Sequence, residues 1–495
     1  MFLKLNQKAF SLTALFVLLL LAACQGLPSL GVNKEALRRA AADSLLQVNI
    51  GQVLLKTYPQ DSLAKMFKPK NAALLRQELE ALYAKNQNNP LWLNPENGQP
   101  DTAATQYLQA LKNATQHALN PEKYQLSRLS QLQSQLNLPT TAPYDTLLAE
   151  KTQLDALLSA SALAYTSDLQ LGYLTPRGNW DLPDKKPPLA LNLFNAIQNN
   201  SIDQLITQSA PAYEEYKSLQ RLLEEYQKEA EKTPKAKVPN FNLSYEEMAK
   251  KIALNMERYR WLPNPDSMSA RRVWVNIPEF KMRVFDNHKE TDQIIVVVGE
   301  LKNATPVIVD KQMSNVIFSP TWTIPSSIGW EEMEYIIQNP AVLIVADVDV
   351  FIDGKLTDPR EVDWTTISKK RVKMRQRPKL TNSMGLVKFP FANNYGIYIH
   401  DTPNKVDFGG VNRAQSHGCV RVQEPKKLAL DLLEGSNWND GGVTKAMYSG
   451  KEQYAKLPQP VSVTIFYITT LTDENGKLRI VPDVYGHDRN QMKML

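Results

Sequence analysis

Tyr398-Ile399-His400 is followed, after fifteen intervening residues, by Ser416-His417-Gly418-Cys419-Val420-Arg421. How the second half of the chain folds turns on what these two stretches hold. Strand alternation sets Ile397 and Ile399 on one face and Tyr398 and His400 on the other, the arrangement of a strand that borders a site. A free thiol has a pKa of about 8.5, so Cys419 is only slightly ionised at neutral pH and needs a base or a cation beside it to act as a nucleophile. His417 lies two positions before Cys419, on the same side of an extended chain, though that spacing does not guarantee contact. His400, at the end of its strand, is the other candidate base. Gly418 lets the backbone approach closely just before the sulfur, and successive N–H groups there could hold an oxyanion. Read from residue type alone, a cysteine near a histidine is more often buried and inert than catalytic, and the alternative stays open at this point.

The composition excludes several classes. The chain has 495 residues, 43% apolar and 22% charged, which is ordinary for a globular protein of several domains. A net charge of +6 is mild and points weakly to an anionic partner. No zinc-finger spacing, basic helix or aromatic RNA-binding pattern supports a nucleic-acid partner. Five histidines, with no His-Glu-x-x-His and no Cys-x-x-Cys, make neither a metal site nor a metal cofactor, and none is expected. The two cysteines, Cys24 and Cys419, sit in such different settings that no disulfide framework is implied.

Cys24 closes a targeting segment. Lys4 and Lys8 precede a 13-residue apolar stretch, Ala9 to Leu21, short of the roughly 20 residues that a spanning helix needs. The segment ends in Leu21-Ala22-Ala23-Cys24, which resembles the bacterial lipoprotein box, whose cysteine is lipidated and becomes the first mature residue. An ordinary secretory signal cleaved near Ala23 is the plainer alternative. The lipoprotein reading implies a signal peptide over 1–23, an envelope location in the periplasm with a membrane-held lipid on Cys24, and Cys419 as the one free thiol. Gln25 leans toward the outer membrane.

Beyond the signal, 24–75 reads as a tether and a first helix. Residues 76–265 read as a helical scaffold: Leu75, Leu79, Leu82 and Tyr83 recur at helical spacing, as do Leu154, Leu157 and Leu158, while Trp92 and Asn94 to Gly98 mark a loop. Tyr226 to Asn240, rich in Lys, Glu and Pro, reads as a solvated linker. From Arg271 the pattern turns to strands: Val273–Ile277, Phe280–Val284, Ile294–Val298, Pro306–Val309, Tyr395–His400 and Val461–Tyr467. The expected fold class is therefore α+β, an N-terminal helical scaffold followed by a β-rich domain over 270–487, with 329–384 inserted into it as a subdomain.

His400, the fifteen-residue gap and the Ser-His-Gly-Cys-Val-Arg run together resemble the active-site signature of L,D-transpeptidases with a YkuD-type catalytic domain. Arg272 to Phe280, Val298-Gly299, Thr305-Pro306, Pro320-Thr321-Trp322, Pro325 to Ile328 and Gly385 to Phe389 are similar to the long Gram-negative branch of that family. Asp168 to Gly172 and Arg258 to Pro263 are similar to its helical scaffold. The resemblance implies a cysteine acyltransferase acting on peptidoglycan stem peptides, with Cys419 as nucleophile and His400 as general base. The backbone carbonyl at Asp401 would orient the ring, its side chain being incidental to that role. The N–H groups of His417, Gly418 and Cys419, with the Tyr398 hydroxyl, would hold the oxyanion. Arg421 would bind a substrate carboxylate, a surface salt bridge being its plainer reading. Ser416 falls with Arg421 on the substrate-binding side, although Ser416 and His417 read as structural or backbone contributors before proton carriers. No cofactor is implied. The product would be a 3→3 cross-link. The alternatives are an L,D-carboxypeptidase, a transferase that attaches proteins to the wall, and, outside the enzyme class, a non-catalytic wall-binding lipoprotein.

In the family the inserted segment caps the site. Here 366–380 carries Lys369, Lys370, Arg371, Lys373, Arg375, Arg377 and Lys379 and no acid, which suits either the steering of carboxylate-rich peptides or a plain solvated loop. Lys379 stands where the resemblance expects glycine. The stretch between Tyr226 and Ser244 is too short for the wall-binding module that long members carry.

Overall fold

A computed structural model of the chain describes residues 60–69, 72–94, 98–136, 144–176, 178–326, 330 and 333–495. The expected signal segment, Cys24 and the tether as far as residue 59 lie outside the described residues. The chain forms two compact units. One contains the described residues up to Tyr173 together with Lys186–Pro211, and the other contains Leu174–Lys185 and Ala212–Leu495.

The first unit is helical. Helix Ala72–Lys85 buries Leu75, Leu79, Leu82 and Tyr83 along one stripe, as their spacing predicts. Leu154, Leu157 and Leu158 of helix Tyr144–Leu171 join the same core. The core is pinned by a buried carboxylate. Asp155 accepts from Tyr83 Oη at 2.5 Å and from the backbone N–H groups of Leu91 and Trp92 at 2.9 and 2.8 Å. Burial lifts Asp155 to about 6 against the pull of these donors. The Trp92 indole, wholly buried, donates to Ser159 Oγ at 2.8 Å. The loop at Trp92 is therefore bonded into the core through its own backbone.

The second unit is built on a sheet whose strands are β1 (Trp180–Asp181), β2 (Arg272–Asn276), β3 (Lys281–Asp286), β4 (Lys289–Gly299), β5 (Val307–Phe318), β10 (Val387–Phe389), β11 (Ile399–His400), β12 (Ala414–Ser416), β13 (Val420–Val422) and β14 (Gln453–Phe466). The hydrogen-bonded path runs β5-β10-β11-β13-β4-β3-β2-β14, and β14 also pairs with β5, so the path closes on itself and β5 and β14 present no free edge to each other. Ile294 and Val296–Val298 of β4 are wholly buried, which explains their unbroken apolar run. The Pro278 turn between β2 and β3 is a short 3₁₀ segment that leaves Phe280 in the left-handed region at φ 52°.

Three expectations are adjusted. The strand expected over Tyr395–His400 is regular only at Ile399–His400. Upstream, the Asn393 side chain donates to the Phe391 and Ile397 carbonyls and accepts from the N–H groups of Tyr395 and Ile397, and Gly396 takes φ 66°; the result is a turn. The linker expected over Tyr226–Asn240 is helical as far as Lys232, because Glu214–Lys232 continues through it with exposed pairs Glu224–Lys228 and Glu229–Lys232 along its surface. Finally, helices Glu214–Lys232 and Tyr245–Trp261 belong to the unit that holds the sheet. The range 76–265 expected for one scaffold therefore spans parts of both units. Within the second unit, Glu257 and Arg260 form a wholly buried pair at 2.7 Å, and Glu257 also accepts from Leu174 N–H at 2.8 Å.

The insertion, together with Trp322–Ile324 just before its expected start, has its own small sheet: β6 (Trp322–Ile324), β7 (Val348–Ile352), β8 (Lys355–Thr357) and β9 (Val372–Gln376), in the order β6-β9-β7-β8. Ile336, Leu343, Val348, Val350, Trp364, Val372 and Met374 form its separate core. Its basic segment is largely compensated by acids that the segment itself lacks. Arg371 pairs with Asp353 at 2.6 Å, Arg375 and Arg377 with Asp349 at 3.4 and 2.9 Å, and Lys379 with Asp347 at 2.5 Å. These pairs weaken the field expected to steer an anionic polymer. Lys379 needs no left-handed backbone, so the missing glycine carries no strain.

Candidate active site

Strands β11 and β13 run parallel and side by side, with Ile399 opposite Val420 and His400 opposite Arg421. Val420 N–H donates to the Tyr398 carbonyl at 3.0 Å, so the pairing continues one residue further and sets Cys419 alongside Tyr398. Residues two apart share a face, and paired residues on neighbouring strands share it too. Tyr398 and His400 therefore stand on the same face as Cys419 and Arg421, while Ile399, Val420 and Val422 are buried on the opposite one. Cys419 is a free, partly exposed thiol.

The His400 ring is buried, and its Nδ1 donates to the Asp401 backbone carbonyl. A carbonyl can only accept, so Nδ1 carries the hydrogen and Nε2 is the basic nitrogen. Burial, with the positive charge of Arg421, brings His400 down to about 3, against the pull of backbone hydrogen bonds to Asp401 and Met384. The ring is thus neutral across the physiological range. Burial pushes the Cys419 thiol up from its ordinary value; a backbone hydrogen bond from Tyr398 and the charges of Lys388 and Arg421 pull the other way. A neutral imidazole and a neutral thiol thus share one face, the groups that a nucleophile and its base require. In this arrangement no hydrogen bond joins them; such contacts tighten when substrate docks.

Residues 270–439 match the family described as the L,D-transpeptidase catalytic domain, YkuD, and residues 77–223 match a family described as a Scaffold domain. By this match residues 270–439 are a YkuD-type domain. It is 30% identical over 244 residues to a protein of Haemophilus influenzae named "Putative L,D-transpeptidase", a stretch that covers 49% of each chain. The chain thus spans about half the length of this curated relative. The YkuD match ends before β14, yet β14 closes the sheet.

Around this thiol–imidazole pair the structure places each expected residue. The Asp401 side chain does not touch the ring, but it is not idle: it accepts from Leu386 N–H at 2.8 Å and pairs with Lys405 at 2.5 Å. Gly385, at φ 61°, has no room for a Cβ, which would lie 2.4 Å from the Asp401 carboxyl. Asp401 therefore ties the root of the insertion to the strand of His400. Ser416 is engaged within its own loop. Its hydroxyl donates to the Cys419 carbonyl at 2.6 Å and accepts from Gly418 N–H at 3.2 Å. The Gly418 N–H expected in the oxyanion hole is therefore engaged by Ser416 in this arrangement. The Tyr398 hydroxyl makes no hydrogen bond to the described residues and remains a candidate donor. His417 is exposed. Arg421 is engaged too: its guanidinium pairs with Asp407 at 2.8 Å, both side chains being mostly buried. The bridge commits Nη1 within the site, while Nε is buried without a protein partner.

Other residues of the site were given no role by the sequence, although Gly299, Thr305 and Lys388 fall in stretches that carry the family likeness. Thr305 Oγ1 donates to the Gly418 carbonyl at 2.7 Å and accepts from Gly299 N–H at 2.8 Å. The Tyr485 hydroxyl donates to the Gly299 carbonyl at 2.6 Å and accepts from Thr305 N–H at 3.2 Å. This chain of bonds buttresses the loop that carries Cys419. Lys388 is a fifth side chain on the face of Tyr398, His400, Cys419 and Arg421, directly opposite His400. A lysine between Val387 and Phe389 in a short strand was the available signal for it.

The pH behaviour of Cys419 follows from this electrostatics. Its alkylation by neutral iodoacetamide is expected to climb about tenfold per pH unit through neutrality and to go on climbing above pH 9, since the thiol is raised from 9.0. A rate plateau reached below pH 7 would instead reveal a preformed thiolate–imidazolium pair. His400 also couples stability to pH. Between its ordinary value of 6.5 and its folded value of about 3 the unfolded chain binds a proton that the folded ring refuses. Stability contributed by this ring is thus present above pH 6.5 and is lost as pH falls, with a slope of about 1.4 kcal/mol per pH unit. Denaturant titrations of the parent and of His400→Asn between pH 4 and pH 6 should show the slope reduced by that amount.

Proposed function

We propose that the protein is a peptidoglycan L,D-transpeptidase that forms 3→3 cross-links between stem peptides through a thioester on Cys419. The observation that carries this reading is the placement of a neutral His400, fixed through Nδ1 to the Asp401 carbonyl, on the same sheet face as the partly exposed Cys419 thiol.

His400 Nε2 takes the thiol proton as Sγ attacks the carbonyl carbon of the bond between the diamino acid and the terminal D-alanine. The Tyr398 hydroxyl and the Cys419 N–H are suited to the oxyanion that develops. The C–N bond breaks, the departing amine takes the proton back from the imidazolium, and a thioester remains. The amine of a second stem attacks the thioester, gives its proton to His400, and releases the thiolate, which is reprotonated.

The test is incubation of the purified protein with disaccharide-tetrapeptides, read by mass spectrometry. Dimers that have lost one D-alanine support the reading. Tripeptide and free D-alanine without dimer would make the protein an L,D-carboxypeptidase, and no product would leave a wall-binding protein. The same reading includes lipidation at Cys24 and a periplasmic location on a membrane. A mature N-terminal peptide without diacylglycerol on Cys24 would remove the anchor.

A further inference from the structure

We propose that Lys388 is the carboxylate-binding residue of the catalytic cleft, receiving a carboxylate of the stem peptide beside Cys419. This rests on the reading above for the identity of the peptide.

A peptide rich in carboxylates needs a cation at the site, and Arg421 already gives Nη1 to Asp407 at 2.8 Å while its Nε is buried. Lys388 on β10 pairs with His400 on β11 and with Ile317 on β5, so it belongs to the catalytic face on the side of the imidazole away from Arg421. Its side chain turns back over Tyr398, with Nζ 3.5 Å from the ring centroid, and Tyr398 stands alongside Cys419. The ammonium is half-buried and makes no ion pair or hydrogen bond with the described residues; its close partner is the face of that ring. Glu452 is near enough to be felt electrostatically, but its carboxylate is held by Thr321 N–H at 2.6 Å, Thr321 Oγ1 at 2.7 Å and Tyr454 Oη at 2.9 Å.

A half-buried ammonium without an anion is costly, and a bound ligand that brings a carboxylate relieves that cost. In the donor peptide a carboxylate lies within a few bonds of the scissile carbonyl. A carboxylate on Nζ, above the Tyr398 ring, would leave that carbonyl beside the neighbouring Cys419. The carboxylate has two sources, the C-terminus of the leaving residue and the free carboxyl of the diamino acid, and the test separates them.

Binding is measured by calorimetry in the Cys419→Ala background, where no turnover intervenes, with three ligands: the free-acid disaccharide-tetrapeptide, its C-terminal amide, and the peptide amidated at the diamino-acid carboxyl. Adding Lys388→Met is expected to weaken the free acid about tenfold to a hundredfold, and Lys388→Arg to restore most of the loss. The gap between the proteins with and without Lys388→Met closes for whichever amide lacks the recognised carboxylate. Equal binding of the free acid by both proteins, or the same gap for all three ligands, overturns the proposal. Thermal midpoints establish that the variants fold, and Lys388→Gln carries the same comparison if methionine is not tolerated. Binding with the expected gap but no turnover by the parent protein would retain the carboxylate site and remove the transpeptidase reading.

Discussion

Cys419→Ala is expected to abolish thioester formation and to lower the release of D-alanine from tetrapeptide by at least about four orders of magnitude. His400→Ala is expected to lower it by about 10²- to 10⁴-fold. The two losses should not add. Cys419 lies raised above its ordinary thiol value and His400 is neutral at rest, so the sulfur becomes a competent nucleophile only as the imidazole takes its proton. Once the sulfur is gone the base has nothing to activate, and the double variant should match Cys419→Ala. Single-turnover kinetics on a defined tetrapeptide, with intact mass to detect the acyl adduct, measures all three. Additional loss in the double variant would mean that His400 acts on something other than Cys419. Full activity in His400→Ala at neutral pH would mean that the thiol is ionised without it. In that case the alkylation plateau would fall in the acidic range, so the two experiments constrain each other.

The chemistry of this site was legible where it depended on residues close in sequence or on strand alternation. Tyr398 and His400 fell on the face opposite Ile397 and Ile399 because a pleated chain alternates, and the parallel register of β11 and β13 places them with Cys419 and Arg421. The family resemblance pointed to the carbonyl at Asp401, adjacent to His400, as the group that orients the ring. What the sequence could not convey was how polar groups are shared. The Arg421 guanidinium was available as a carboxylate ligand until Asp407, fourteen residues earlier, folded onto it. Gly418 N–H was an oxyanion donor until Ser416 Oγ accepted from it. The basic run in the insertion was unopposed until Asp349 of β7 and Asp347 and Asp353 at its two ends came against it. Each of these pairings competes with the ligand role of its partner, and each is decided by tertiary contact, to which local pattern is blind. The Thr305 and Tyr485 buttress is the extreme case, since Thr305 is 113 residues from Gly418 and 180 from Tyr485.

Gly299→Ala is expected to be the most damaging conservative change outside the reacting residues. A Cβ at Gly299 would lie 2.1 Å from the Asn303 carbonyl oxygen, 2.8 Å from Thr305 N and 2.9 Å from Gly418 Cα. All three are backbone atoms, so no side-chain rotation makes room. Gly299 is bonded on both sides, its N–H to Thr305 Oγ1 and its carbonyl to the Tyr485 hydroxyl, so relief must come from moving the end of β4 away from the Gly418 turn. Gly418 is itself at φ 107°, a conformation that only glycine adopts readily, and the carbonyl that fixes it is held by Thr305. The strain should therefore appear in two measurements. Stability should fall by about 2–4 kcal/mol, and kcat for thioester formation should fall by about a hundredfold in the folded fraction, because the sulfur and the oxyanion donors are displaced together. Gly409→Ala is the matched control: a Cβ there meets nothing within 4 Å, and neither quantity should change appreciably. If Gly299→Ala loses stability but keeps the parent kcat, the Thr305 buttress holds the sheet without holding the nucleophile.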